Sequence, residues 1–162
     1  MPDRGLGVTN IVAAAGACVR MPISDTAPFT LKPGQTVSGA GLLSGTWRVG
    51  TGAELDFASF TGTFEDLRLA DGATLRFPGM DGLPIDCTKV TEAAGSVVVD
   101  VSALAGSQLR ARTPLATFDP ALVPSATVFA MEGLPKSSSL AYDAQTGELT
   151  LVTMTGTVLL FR

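Results

Sequence analysis

Five glycines, at positions 16, 34, 52, 72 and 95, open the same short phrase at spacings of 18, 18, 20 and 23 residues. Such a period demands small units that stack on one another, because a unit this short cannot bury an apolar face by itself. Three copies are nearly identical: Gly16-Ala17-Cys18-Val19-Arg20-Met21-Pro22, Gly52-Ala53-Glu54-Leu55-Asp56-Phe57-Ala58 and Gly72-Ala73-Thr74-Leu75-Arg76-Phe77-Pro78. Gly34-Gln35-Thr36-Val37-Ser38-Gly39 keeps the glycine and its apolar third neighbour, and Gly95-Ser96-Val97-Val98-Val99-Asp100 is the least faithful copy.

Three residues after each glycine stand Val19, Val37, Leu55, Leu75 and Val98; three before it stand Ala13, Leu31, Val49, Leu69 and the exception, Glu92. Five before it come Ile11, Phe29, Trp47, Leu67 and Val90. Apolar residues two apart mean strands with one buried face, so each unit offers two short strands joined at a glycine corner, where positive φ carries no steric penalty. Units about 4.8 Å apart would pair strand to strand, and five would span roughly 24 Å. The expected fold is an all-β, single-stranded, right-handed parallel β-helix, or β-solenoid, of about five rungs; the alternative is a β-sandwich in which the period reflects hairpins. In register, Leu55 would touch Leu75, Phe57 would lie over Phe77, and Arg20, Ser38, Asp56 and Arg76 would stack outside.

Residues 1–83 are expected to form the rungs and 84–162 the last rungs and an irregular β-rich cap, in one continuous domain. An end cap is physically expected because the end of a stack exposes unpaired backbone groups. In the second part, strands are expected at Val97 to Val101, Gln108 to Ala111, Thr127 to Met131 and Thr157 to Phe161, with a hairpin of Leu140 to Tyr142 and Glu148 to Leu151. Thr88 to Ala94 makes at best one helical turn.

The composition narrows the function. Eighteen glycines and ten prolines fit many short strands with frequent turns, and a hydrophobic fraction of 46% argues against disorder. A net charge of −4 provides no basic field for a phosphate backbone, so nucleic acid is not an expected partner. The absence of histidine removes the commonest proton shuttle and metal ligand. Cys18 and Cys87 form no CxxC pair; one disulfide and two free thiols both fit the sequence. The apolar run Ile11 to Val19 has no basic segment before it and contains the first copy of the repeat, so it belongs to the fold and no export signal is seen. No stretch reaches the roughly 20 apolar residues of a membrane-spanning helix.

The run Phe29-Thr30-Leu31-Lys32-Pro33-Gly34-Gln35-Thr36-Val37-Ser38-Gly39-Ala40-Gly41-Leu42-Leu43-Ser44-Gly45, continuing through Trp47, Val49 and Gly52-Ala53-Glu54-Leu55, resembles the autotransporter-associated β-strand repeat. Val98 to Gly106 is similar to closing rungs of such passenger regions, and the likeness covers roughly residues 7 to 106. The resemblance implies a right-handed parallel β-helix displayed on, or released from, a bacterial surface. The chain departs from the family in lacking a following outer-membrane barrel and an export signal, so it is expected to be part of a longer polypeptide.

Chemistry-bearing groups are sparse. Asp56, Glu65, Asp66 and Asp71 with Arg48, Arg68 and Arg76 can be read as an acidic-polysaccharide site on a β-helix face, but an ordinary solvated face of alternating charge is the strongly favoured reading. Asp71-Gly72 and Asp81-Gly82 read as turns, not calcium loops. Trp47 falls at an inward position and is expected in the core, whereas Tyr142 remains open as a sugar-stacking residue. Ser137-Ser138-Ser139 beside Lys136 reads as a loop without a catalytic partner.

The expected function is therefore a non-enzymatic structural or adhesive segment, extracellular or at the cell surface, without catalytic residues, metal or cofactor. Its expected partners are cell-surface or extracellular polysaccharide or protein, and the alternative is a carbohydrate-active or carbohydrate-binding module.

Overall fold

The computed structural model describes residues 9–78, 84–104, 111–123, 127–133 and 137–154. Among them there are fifteen strands and no helix. In chain order these are β1 (Asn10–Ala13), β2 (Cys18–Arg20), β3 (Phe29–Leu31), β4 (Thr36–Gly39), β5 (Leu42–Val49), β6 (Glu54–Phe60), β7 (Thr63–Leu69) and β8 (Thr74–Arg76). They continue as β9 (Ile85–Cys87), β10 (Val90–Ala93), β11 (Ser96–Asp100), β12 (Arg112–Phe118), β13 (Val128–Glu132), β14 (Ser138–Asp143) and β15 (Glu148–Thr153).

A six-stranded sheet runs β1-β4-β6-β8-β11-β13 and is parallel throughout. A second sheet runs β10-β7-β5-β2, with β3 also on β5, and is parallel as well. Consecutive strands alternate between the two sheets from β3 to β8. No hairpin joins strands between residues 47 and 77, so the period does not arise as it would in a hairpin-built sandwich. The third sheet, β14-β15-β12-β9, joins a parallel pair, β9 and β12, to the antiparallel hairpin β14–β15.

The inward columns carry the apolar residues of the repeat. Leu55 pairs with Leu75 in register, and both are fully buried. The same column contains Ile11, Val37, Val99 and Met131. In the other sheet Phe29, Trp47, Leu67 and Val90 line up. Phe57 and Phe77 have ring centroids 5.4 Å apart. Full burial of each such side chain is worth about 1.5–3 kcal/mol, so these columns dominate the energetics of the stack. Backbone bonds link the corners too: Gly34 N donates to Gly52 O, Gly52 N to Gly72 O, and Gly72 N to Ser96 O, at 2.9, 2.9 and 2.7 Å.

Two copies of the phrase sit differently from expectation. Gly16 makes the same local turn, with φ of 74° and Ala17 N donating to Ala14 O, but the strand after it joins the second sheet. Val19 lies opposite Leu43 and Arg20 opposite Ser44, so Arg20 does not stack with Ser38; Ile11 is the residue opposite Val37. In the fifth copy the corner position in line with Gly72 is Ser96, one residue after Gly95. Val99, not Val98, is therefore opposite Leu75, and the buried residue three before the corner is Ala93, which removes the Glu92 exception.

Beyond residue 84 the first two sheets continue through β10, β11 and β13. Thr127 to Met131 and the 140–151 hairpin appear as strands where expected, at β13 and β14–β15. Val90–Ala93 is strand, not a helical turn. Of Gln108 to Ala111, only Ala111 is described, and it precedes β12; β12 escaped notice because Pro114 interrupts its pattern, and the chain accommodates that proline by a register shift between Pro114 and Ala116. Ser138 and Ser139 open β14 and are not loop. The expected strand Thr157 to Phe161, Lys136 and Asp81-Gly82 lie outside the described residues. Both cysteines are free, Cys18 exposed and Cys87 buried.

Candidate functional site

The charged residues of the repeat region do not converge; they divide among four places. On the second sheet, register puts Arg48 of β5 beside Arg68 of β7, and two like charges at that spacing need carboxylates between them. Glu92 of β10 provides one, 3.8 Å from Arg48 and 3.9 Å from Arg68. Asp66 lies 3.4 Å from Arg68 and also accepts from Thr91 Oγ1. The segment between β2 and β3 supplies Asp25, whose carboxylate and main-chain oxygens accept from Arg68 at 2.8 and 3.0 Å. These bonds to Asp25, and then the Asp66 carboxylate, hold the Arg68 guanidinium above its ordinary pKa.

On the six-stranded sheet Arg76 of β8 stands between Asp56 of β6 and Asp100 of β11, at 3.9 and 3.6 Å. Asp56 points outward as expected, yet only 14% of its side chain is exposed, and it accepts from Ala58 N at 2.8 Å. Glu54 shares this face; desolvation first, then the Asp56 and Asp100 charges, raise its pKa. Glu65 lies apart at the start of β7, accepting from Ser44 Oγ at 2.7 Å and Gly45 N at 3.0 Å, and those bonds, the backbone one foremost, lower its pKa. Asp71 is at a corner, where it accepts from Ser96 N at 2.7 Å. Apart from Glu54, each of these carboxylates is committed to a guanidinium or a backbone N–H, which is the behaviour of a solvated charged face more than of an acid–base pair.

Trp47 is fully buried, as expected. Its Nε1 donates to Ser44 O at 3.1 Å, and Phe29 meets it edge-on at 5.0 Å. Tyr142 is half-buried: its hydroxyl donates to Val123 O at 3.1 Å, and its ring packs on Phe129 at 5.3 Å. That leaves it a poor platform for a sugar ring.

Sequence reasoning missed an apolar concavity. A cleft of about 340 Å³ lies where β6 turns into β7, lined by Phe57, Phe60, Phe64, Pro78 and Ile85, with Asp86 and Lys89 also on its lining. The available signal was the run of phenylalanines at 57, 60 and 64, which the column count did not single out except at Phe57. Asp86 accepts from Thr88 N and Oγ1 at 2.9 and 2.7 Å, which lowers its pKa, the hydroxyl bond contributing most. The cleft suits an apolar group, and among the described residues that line it no nucleophile is paired with a base. A more polar hollow of about 620 Å³, bordered by Arg112, Tyr142 and Glu148, lies by the hairpin. Among the described residues no three acidic, cysteine or histidine side chains are grouped to hold a metal ion, and no helix is long and apolar enough to cross a membrane.

Comparison with protein-family models, curated proteins and solved structures returned no match to this chain.

Proposed function

We propose that the chain is a right-handed β-solenoid segment that acts as a non-enzymatic stalk, spacer or adhesive surface of a bacterial surface or secreted protein of the autotransporter-like kind. The observation that carries this reading is the register: Val37, Leu55, Leu75 and Val99 stand one above another in parallel strands while the corner backbones bond from unit to unit. Such an arrangement resists extension through backbone ladders and apolar columns, and it presents long outer faces whose charges are paired along the stack. Residues 84–162 would close the stack, with the hairpin β14–β15 as the cap. The partners would be surface polysaccharide or protein, met by the outer faces without turnover.

Pulling the chain by its two ends tests the mechanical part. A stack loses one unit of about 18–24 residues at a time, which releases length in steps of roughly 60–80 Å at full extension; a single all-or-none release would oppose the reading. Incubation with a uronic-acid polymer, followed by the absorbance of unsaturated product, tests the catalytic alternative. No product is expected, and turnover that disappears in Arg68→Ala would move the assignment to a lyase.

A further inference from the structure

β2 and β3 both pair with β5: Cys18–Arg20 lies along Leu42–Ser44, and Phe29–Leu31 lies along Trp47–Val49. β5 crosses the interval with two residues, Gly45 and Thr46, whereas the neighbouring chain takes eight, 21–28. The surplus has to leave the ladder, and it returns over the outer side of the sheet as a strap. Thr46, on the same side of β5 as Arg48, is fully buried, and Ser24 N donates to its Oγ1 at 3.3 Å. Both ends of the strap are fixed by strand pairs that do not involve its middle.

The middle is held by polar contacts. Ile23 is 86% exposed and anchors nothing, and the backbone bond from Thr46 N to Pro22 O is long, at 3.4 Å. The short contacts are those of Asp25, whose carboxylate and main-chain oxygens accept from Arg68 at 2.8 and 3.0 Å. The Asp25 side chain is 92% exposed and that of Arg68 only 14%, so one partner of this ion pair stands in water, where salt screens it. Releasing Asp25 strands no buried charge, because Asp66 and Glu92 stay 3.4 and 3.9 Å from Arg68; removing a sole partner would cost far more. From these contacts we infer that residues 22–27 form a salt-released strap, latched over Thr46 by Asp25 on Arg68, which opens while β2 and β3 remain on β5. Opening uncovers Thr46 and presents the segment carrying Ile23 as an arm clear of the sheet. Only local contacts are involved, so the stalk reading stands or falls separately.

The test is amide hydrogen exchange on the full chain, read residue by residue at Ser24 and Thr46, whose N–H groups bond across the strap. The ladder amides of Trp47 to Val49 serve as the reference. Sodium chloride is raised from about 0.01 M to about 1 M, which shortens the screening length from roughly 30 Å to roughly 3 Å. Exchange at Ser24 and Thr46 should quicken by about two- to fivefold, the range that an ion pair in water supports, with the reference amides unmoved. Asp25→Asn keeps the size of an exposed side chain and removes its charge. In that variant both amides should exchange at the faster rate already at low salt and respond little to more, at an unchanged melting temperature. The inference is overturned if salt leaves Ser24 and Thr46 unmoved in the unaltered chain, or if the reference amides quicken equally, which would mean that the sheet opens as a whole. It is overturned as well if the folded Asp25→Asn variant exchanges as slowly as the unaltered chain; should that variant not fold, the salt series on the unaltered chain decides by itself.

Discussion

Phe57 and Asp56 are adjacent in sequence and face opposite ways, which makes them the sharpest residue-scale check on which face is buried. Phe57→Asp places an unpaired charge among Phe77 and the other aromatic residues and should cost several kcal/mol, enough to unfold a marginal domain. Asp56→Lys loses the pairing with Arg76 and the bond to Ala58 N but remains on the outer face, so thermal or denaturant unfolding should show a loss of about 1 kcal/mol. A larger loss in the second variant than in the first would reverse the facing. The two thiols differ in the same way. Cys87 is buried, and desolvation drives its pKa far above the ordinary thiol value, so a thiol reagent should modify Cys18 alone in the native chain and both after denaturation. Glu54 supplies a pH dependence. Its folded pKa is raised, so its charge opposes folding at neutral pH, and that cost disappears as pH falls through the raised value and the carboxyl takes up a proton. Glu54→Gln should accordingly raise the melting temperature at neutral pH, with the gain shrinking on acidification. Asp86 works in the opposite sense: its pKa is lowered, so its contribution holds above the ordinary carboxylate range and is lost as pH falls through the folded value.

At the scale of elements, the glycine phrase encodes a turn and the strand after it, and that much was legible without coordinates. All five glycines have positive φ, and the strands of the first four phrases follow three-residue counting closely. The partner of a strand was less legible. The Gly16 phrase has the local chemistry of the Gly52 and Gly72 phrases, yet its strand joins the other sheet, because a turn does not specify which neighbouring backbone waits beyond it. In the fifth phrase Ser96 took the corner position in line with Gly72 while the glycine moved one residue earlier, so counting from glycine misplaced Val98. The charged candidates were found as residues but not as groups, since Arg68 meets Asp25 from the segment between β2 and β3 and Glu92 from β10, contacts that only the stacking brings about. The aromatic cleft was missed because Phe60 and Phe64 lie at the opposite corner from the repeating glycine. That corner also sets a stability order. An added Cβ at Gly62 would lie 1.9 Å from Gly41 O, an immovable backbone atom, whereas at Gly72 the nearest atom is the Thr51 methyl at 3.0 Å. Gly72→Ala should cost about 1–2 kcal/mol, chiefly for its positive φ, and Gly62→Ala should cost more in the same denaturant titration.

For the whole molecule, the proposed coil stack requires both long sheets to hold their registers at once, with neighbouring units about 4.8 Å apart on each. That spacing lies within the range a disulfide can bridge when the two side chains point the same way. Disulfide trapping in a Cys18→Ser background is therefore the most direct measurement. Glu54 and Thr74 are register partners on the outer side of one sheet, and Arg48 and Arg68 are partners on the other. The chain carrying cysteines at Glu54 and Thr74, and the chain carrying them at Arg48 and Arg68, should each close a cross-link on mild oxidation. The offset pair Glu54→Cys with Ala73→Cys should not, because Ala73 is fully buried on the inner side. Closure of both in-register pairs with no closure of the offset pair is the result the account predicts; an open Glu54–Thr74 pair, or closure of the offset pair in its place, would contradict it.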